Sequence, residues 1–111
     1  MAVLSNLSVD QGADYSAEII VEDANGNVAN LANYTVAGQI RKSYASSTAT
    51  NFTTSITNAG NGQVTIKLSN TTTNGMKAGR YLYDIEITDN AGVKTRVVEG
   101  QITINPGVTQ I

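Results

Sequence analysis

Three groups of residues in this chain are spaced as chemistry would need them. Asp23, Asn25 and Asn27 place side-chain oxygens at alternate positions, like the first three ligands of a calcium loop. Asp84 and Glu86 stand two apart. In an extended segment both carboxylates then share a face, as an acid and base flanking a glycosidic bond would need. Arg41, Lys42, Ser43 and Tyr44 put two cations, a hydroxyl and an aromatic ring in one run, a mixture suited to contacting a partner.

Each group has a plainer reading. A calcium loop needs Gly at its sixth position and Glu at its twelfth, and the chain has Val28 and Tyr34 there. Asn25-Gly26 is instead a strong hairpin signal, because both residues tolerate positive φ. Asp84 and Glu86 lie on the parity opposite Tyr81, Tyr83, Ile85 and Ile87, so they belong to a solvated face with Arg41, Lys94 or Arg96 as neutralising neighbours. Tyr81 and Tyr83 are spaced as a stacking platform for sugars or bases. They share the apolar parity, however, and read as core-edge residues with hydroxyls at the rim. Arg41, Lys42, Ser43 and Tyr44 therefore remain as the candidate partner-contact patch. No catalytic, metal or cofactor residues are assigned.

The elements that must carry these residues have a period of two. Strands are expected over 3–9, 14–22, 34–43, weakly through Phe52, Thr54 and Ile56, and then over 64–68, 80–88 and 93–104. Asp23 to Asn27 is expected to turn one core strand into the next. Gly38 suggests a bulge or close approach, residues 44–51 a mobile loop, and Asn61-Gly62 a second hairpin. In 69–79, Ser69 or Asn70 caps one helical turn that drops Met76 into the core. Asp89 to Gly92 makes a tight turn. The inward set of the last strand shifts across Val97 to Gly100, which predicts a bulge near Gly100.

Composition narrows the function classes. The 111 residues fit a single β-sandwich domain over 1–111, with a short tail from about residue 105 after the only proline. Only 14% of residues are charged, while Thr, Asn and Ser fill 34 positions. That balance suits neutral, polar outer faces. A net charge of −2 argues against nucleic-acid binding. With neither Cys nor His, the chain lacks disulfides, the usual zinc ligands and the commonest general base. The start, MAVLSNLSVDQG, lacks the basic-then-apolar pattern of a signal peptide, so synthesis and assembly in a host cytoplasm are expected. The Asn-X-Ser/Thr triplets at Asn6, Asn33, Asn51 and Asn70 are then incidental. The fold class expected is all-β: an immunoglobulin-like or fibronectin-like antiparallel sandwich of about seven strands.

The order of segments resembles a known group. LSVDQGADYSAEIIVEDANGNVANLANYTVAGQIRKS resembles the opening of small tailed-phage proteins, and VTIKLSNTTTNGMKAGRYLYDIEITDNAGVKTRVVEGQITINPGVT resembles their ending. The related domain is the N-terminal immunoglobulin-like domain of phage baseplate upper proteins, with similar short proteins in marine and cyanobacterial phages. The resemblance puts Gly12, Gly26, Gly79 and Gly100 on turns or bulges and Tyr34, Ile40, Tyr81, Tyr83 and Ile85 in the core. It implies a non-enzymatic virion component, without cofactors, that docks other phage proteins in multiple copies. A tail or baseplate adaptor or ring subunit is the first expectation. A capsid decoration or cement protein is the alternative, and a carbohydrate-binding adhesion module is the reading from another class. These motifs are turn and core positions, so they specify a scaffold rather than a chemistry.

Overall fold

Alternation of apolar and polar residues decides which side of each strand is buried. A computed structural model describes residues 3–22, 25–43 and 45–107. Its strands are β1 (Val3–Leu4), β2 (Leu7–Asp10), β3 (Tyr15–Ile20), β4 (Thr35–Arg41) and β5 (Thr50–Asn51). They continue with β6 (Thr53–Asn58), β7 (Gln63–Leu68), β8 (Gly79–Thr88) and β9 (Lys94–Asn105). One short helix, α1 (Asn70–Asn74), lies between β7 and β8.

The chain is all-β and builds two sheets. A six-stranded sheet has the order β1-β9-β8-β4-β5, with β2 also on β9; a three-stranded sheet has the order β3-β7-β6. Val64, Ile66 and Leu68 from β7 meet Tyr83, Ile85 and Ile87 from β8 and Ile102 and Ile104 from β9 in one buried cluster. Removing such side chains from water contributes about 1.5–3 kcal/mol each. The residues between them, such as Thr65, Asp84 and Glu86, take the other faces, as a period of two requires.

Several expectations need correction. The larger sheet is mixed rather than antiparallel, because β1 and β2 run parallel to β9, pairing Val3 with Val98 and Leu7 with Ile102. The run 3–9 breaks at Ser5-Asn6, where the Asn6 side chain accepts the Gln101 N–H at 3.0 Å. Among the described residues the turn after β3 closes one bridge, Glu22 to Val28, and it does not join neighbouring strands. β3 and β4 belong to different sheets, so residues 29–34 cross between layers, with Leu31 buried on the way. Asp23 and Ala24 of that turn lie outside the described residues. The irregularity in β9 falls at Val97, between the pairs Ile85–Val98 and Glu86–Arg96, and not at Gly100. Gly100 is required for another reason. A Cβ there would collide with the Ser5 carbonyl oxygen.

Other local signals match. Asn61-Gly62 ends a hairpin between β6 and β7. Ser69 caps α1 by accepting the Thr72 N–H, and Met76 is buried. Asp89 holds the β8–β9 turn through its carboxylate, which accepts the Ala91 and Val93 N–H groups at 2.9 Å. Gly38 is the site of a close approach without a register slip: a Cβ would meet Ile85 Cδ1 at 2.5 Å and Phe52 Cδ2 at 3.0 Å.

The two long sides of the sandwich differ. On one side β5 pairs with β4, the chain switches sheets at Phe52, and β6 pairs with β7. The Phe52 N–H donates to the Gly38 carbonyl at 3.0 Å, and the Thr54 hydroxyl to the Val36 carbonyl at 2.9 Å. That side is stitched shut by main chain and the Thr54 hydroxyl. On the other side β1 and β2 edge one sheet and β3 edges the other, with no strand between them among the described residues.

Candidate functional site

The open side is tied down at one end. The Thr73 side chain, fully buried, accepts the Gly12 N–H at 3.0 Å and donates to the Ala13 carbonyl at 2.9 Å. Gln11 donates to the Met76 carbonyl, and Asp14 accepts the Asn70 N–H. These bonds fix the β2–β3 turn onto α1.

Away from that anchor the two edges part around a groove of about 610 Å³. Its walls include Val3 and Leu7 from one sheet edge, Ala17 and Ile19 from the other, and Tyr34 and Val97. Two large apolar side chains that line it are exposed, Val3 at 61% and Ile20 at 47%; Leu4, also exposed, is paired with Glu99 and does not line the groove.

Among the described residues the edge of β3 is also free in its main chain. The Val21 N–H donates to the Gly62 carbonyl at 2.8 Å, beyond the β3–β7 ladder. Because successive residues point their N–H and C=O groups to opposite sides, Ile19, Ala17 and Tyr15 bond toward β7. Ser16, Glu18 and Ile20 therefore aim theirs outward, into the seam. An unpaired row of this kind is a template for another strand.

The residues singled out in the sequence lie elsewhere. Arg41 donates to the Ser46 carbonyl and to the Gln39 side chain, and the Ser43 N–H donates to the Ser46 hydroxyl. Lys42 donates to the Arg80 carbonyl at 3.1 Å, with its Nζ 4.7 Å from the centre of the Tyr81 ring. Arg41 and Ser43 thus brace the following loop, and Lys42 clamps the start of β8. Tyr44 lies outside the described residues. Asn25 and Asn27 are exposed, as is Val28. Among the described residues no group of three or more acidic side chains converges as a metal site would require.

Asp84 and Glu86 line a shallow depression of about 300 Å³ on the outer face of the larger sheet, together with Arg41, Arg96 and Glu99. Arg96 bridges there, its Nε 3.2 Å from Asp84 and its Nη1 3.1 Å from Glu99. The bond to Glu99, then the charge of Asp84, pushes the guanidinium pKa up. Asp84 and Glu99 thus share one exposed cation, and Glu86 takes no part in these ion pairs. Tyr83 is buried and donates to the Ser5 carbonyl at 2.6 Å; Tyr81 is half-buried and donates to the Lys77 carbonyl at 2.8 Å. They are core-edge residues with satisfied hydroxyls, not an aromatic platform.

Sequence reasoning missed the seam, although it held two signals. Ile20 interrupts an otherwise polar face in 14–22, and the opening VLSNLSV carries more apolar residues than its exposed position warrants.

No protein-family model matches the chain, and no curated protein matches it. Among solved structures it is similar to an internalin-like protein of Listeria monocytogenes, with a TM-score of 0.46 at 14% identity over 96% of this chain and 28% of that one. It is also similar to a family 123 glycoside hydrolase from Clostridium perfringens, with a TM-score of 0.46 at 16% identity over 97% of this chain and 24% of that one. The chain thus spans about a quarter of the length of each.

Proposed function

We propose that this chain is a non-enzymatic structural module of a tailed-phage particle. It is an immunoglobulin-like sandwich that serves as a tail or baseplate adaptor or ring subunit by docking neighbouring virion proteins. Two supports are independent. The ordered resemblance of its segments to small tailed-phage proteins runs over nearly the whole chain. The observation that carries the docking role is the open seam, where a strand edge unpaired among the described residues runs beside exposed Val3 and Ile20. Main-chain pairing at such an edge holds a partner without any reactive group.

Mass spectrometry of purified particles from the phage that encodes the chain tests this reading. Recovery of the protein in stoichiometric amounts is expected, and its absence from particles would sink the proposal. Copy number then separates a tail ring from a capsid decoration, since a capsid lattice carries far more copies.

A further inference from the structure

The seam is apolar at its floor and acidic along one lip. Glu18 and Glu22 project beside the outward-facing main chain of β3 and line the groove. Both are exposed, and among the described residues neither carboxylate has a hydrogen bond or ion pair. Among the described residues no cation forms an ion pair with either of them, Lys67 included, although it lies diagonally across the ladder from Glu18. Arg96 is shared by Asp84 and Glu99, Lys42 sits against Tyr81, and Lys67 lies opposite Ser16.

We propose that the seam takes an extended segment of a different polypeptide, added as a strand to the free edge of β3. Its apolar residues, at every second position, turn into the groove over Ala17 and Ile19. Its alternate positions carry Lys or Arg and face Glu18 and Glu22. This deepens the docking reading by naming the partner's chemistry, and it rests on that reading only for the claim that the module holds another chain.

Three observations set these terms. Ser16, Glu18 and Ile20 offer main-chain groups to a strand, which fixes an extended occupant. Ala17 is small and the floor around it is apolar, so the inward positions of that occupant are apolar and large. The charges disfavour two of the registers in which a second copy of this chain could pair. Self-pairing centred on Ile20 sets Glu18 against Glu22, and self-pairing centred on Glu18 sets that carboxylate against its own copy, whereas centring on Ala17 or Ile19 leaves the carboxylates opposite Ser16 or Ile20. Like charges placed opposite one another disfavour such a pair. At ~3.3 Å per residue, β3 accommodates a segment of about six residues.

Two capped peptides provide the test, one alternating Lys and Val and the other alternating Glu and Val. Amide hydrogen exchange is followed by NMR in the intact protein. The basic peptide is expected to slow exchange at Ser16, Glu18 and Ile20 by at least about tenfold while Ala17 and Ile19, already bonded to β7, stay unchanged. The acidic peptide is expected to have no effect. Glu18→Lys combined with Glu22→Lys should reverse the preference, and Glu18→Gln with Glu22→Gln should weaken the basic peptide if the double lysine variant fails to fold. The proposal is overturned by binding of neither peptide, by equal binding of both, or by binding without protection of those amides. Protection that rises with protein concentration in the absence of peptide would assign the seam to a second copy and likewise overturn it. If the peptide arm fails while the protein is found in particles, strand addition falls and the virion reading stands. If the basic peptide binds as expected while particles lack the protein, strand addition stands and the virion reading falls.

Discussion

The Ser5 carbonyl occupies the place a side chain on Gly100 would fill, and there it receives the Tyr83 hydroxyl at 2.6 Å. Tyr83 and Gly100 are direct partners across β8 and β9, so both point to the same face of the sheet. Because Gly100 has no side chain, the N-terminal segment comes close enough to satisfy a buried phenol. The break between β1 and β2 is therefore a specific contact, one that turns a carbonyl away from β9 and toward the core.

Replacing Tyr83 with Phe leaves the Ser5 carbonyl without its donor. The expected cost is about 1–2 kcal/mol, measured by urea denaturation at neutral pH. Faster exchange of the Ser5 amide, which is bonded to the Glu99 carbonyl, should accompany it.

Gly100→Ala should cost more, because backbone and not a flexible side chain stands at the clash. About 1–3 kcal/mol is expected for overpacking of this kind. Combined with Tyr83→Phe, the losses should be less than additive, since both act through Ser5; a thermodynamic cycle measures the coupling.

Burial pushes the Tyr83 pKa up, and burial does the same to Tyr15. A raised phenol pKa means that the folded state favours the neutral form. Its contribution is complete below the unfolded value of about 10 and is lost as pH rises through the folded value. Melting temperature should therefore fall on the alkaline side of about pH 10, and more shallowly in Tyr83→Phe, where Tyr15 alone remains.

Thr73→Val keeps the shape of a fully buried side chain while removing its hydroxyl. The Gly12 N–H and the Ala13 carbonyl then lose their shared partner, at an expected cost of about 1–3 kcal/mol. Exchange at the Gly12 amide should accelerate with the loss of stability.

Millimolar calcium should leave the melting temperature unchanged, because Val28 and Tyr34 occupy loop positions where binding needs Gly and Glu. A clear upward shift in a calorimetric scan would reinstate a metal site in the turn after β3.

The strands were legible because alternation is local. Tyr83, Ile85 and Ile87 announce their face without reference to any neighbour. Pairing is not local, which is why the site was harder to read. Nothing within VLSNLSV says that it lies parallel to β9 instead of beside β3, and that choice creates the seam. The same limit explains Arg41 and Lys42. Their types suggested a free basic patch, while their bonds to Ser46, Gln39 and Arg80 depend on how the chain folds back. Thr50 and Asn51 carry no apolar pattern, so their pairing with Ile40 and Gln39 left no trace in the sequence.

The parallel course of β1 and β2 along β9 has a mechanical consequence. Val3 starts its strand level with Val98, and Asp10 ends level with Asn105. Pulling residues 3 and 105 apart along the strand axis would slide these strands past one another lengthwise. Every ladder bond between them would then resist at once, and none could be peeled off singly. A tether drawn tight through this module meets a shear clamp, so its lifetime under tension is set by the rate of breaking that whole ladder.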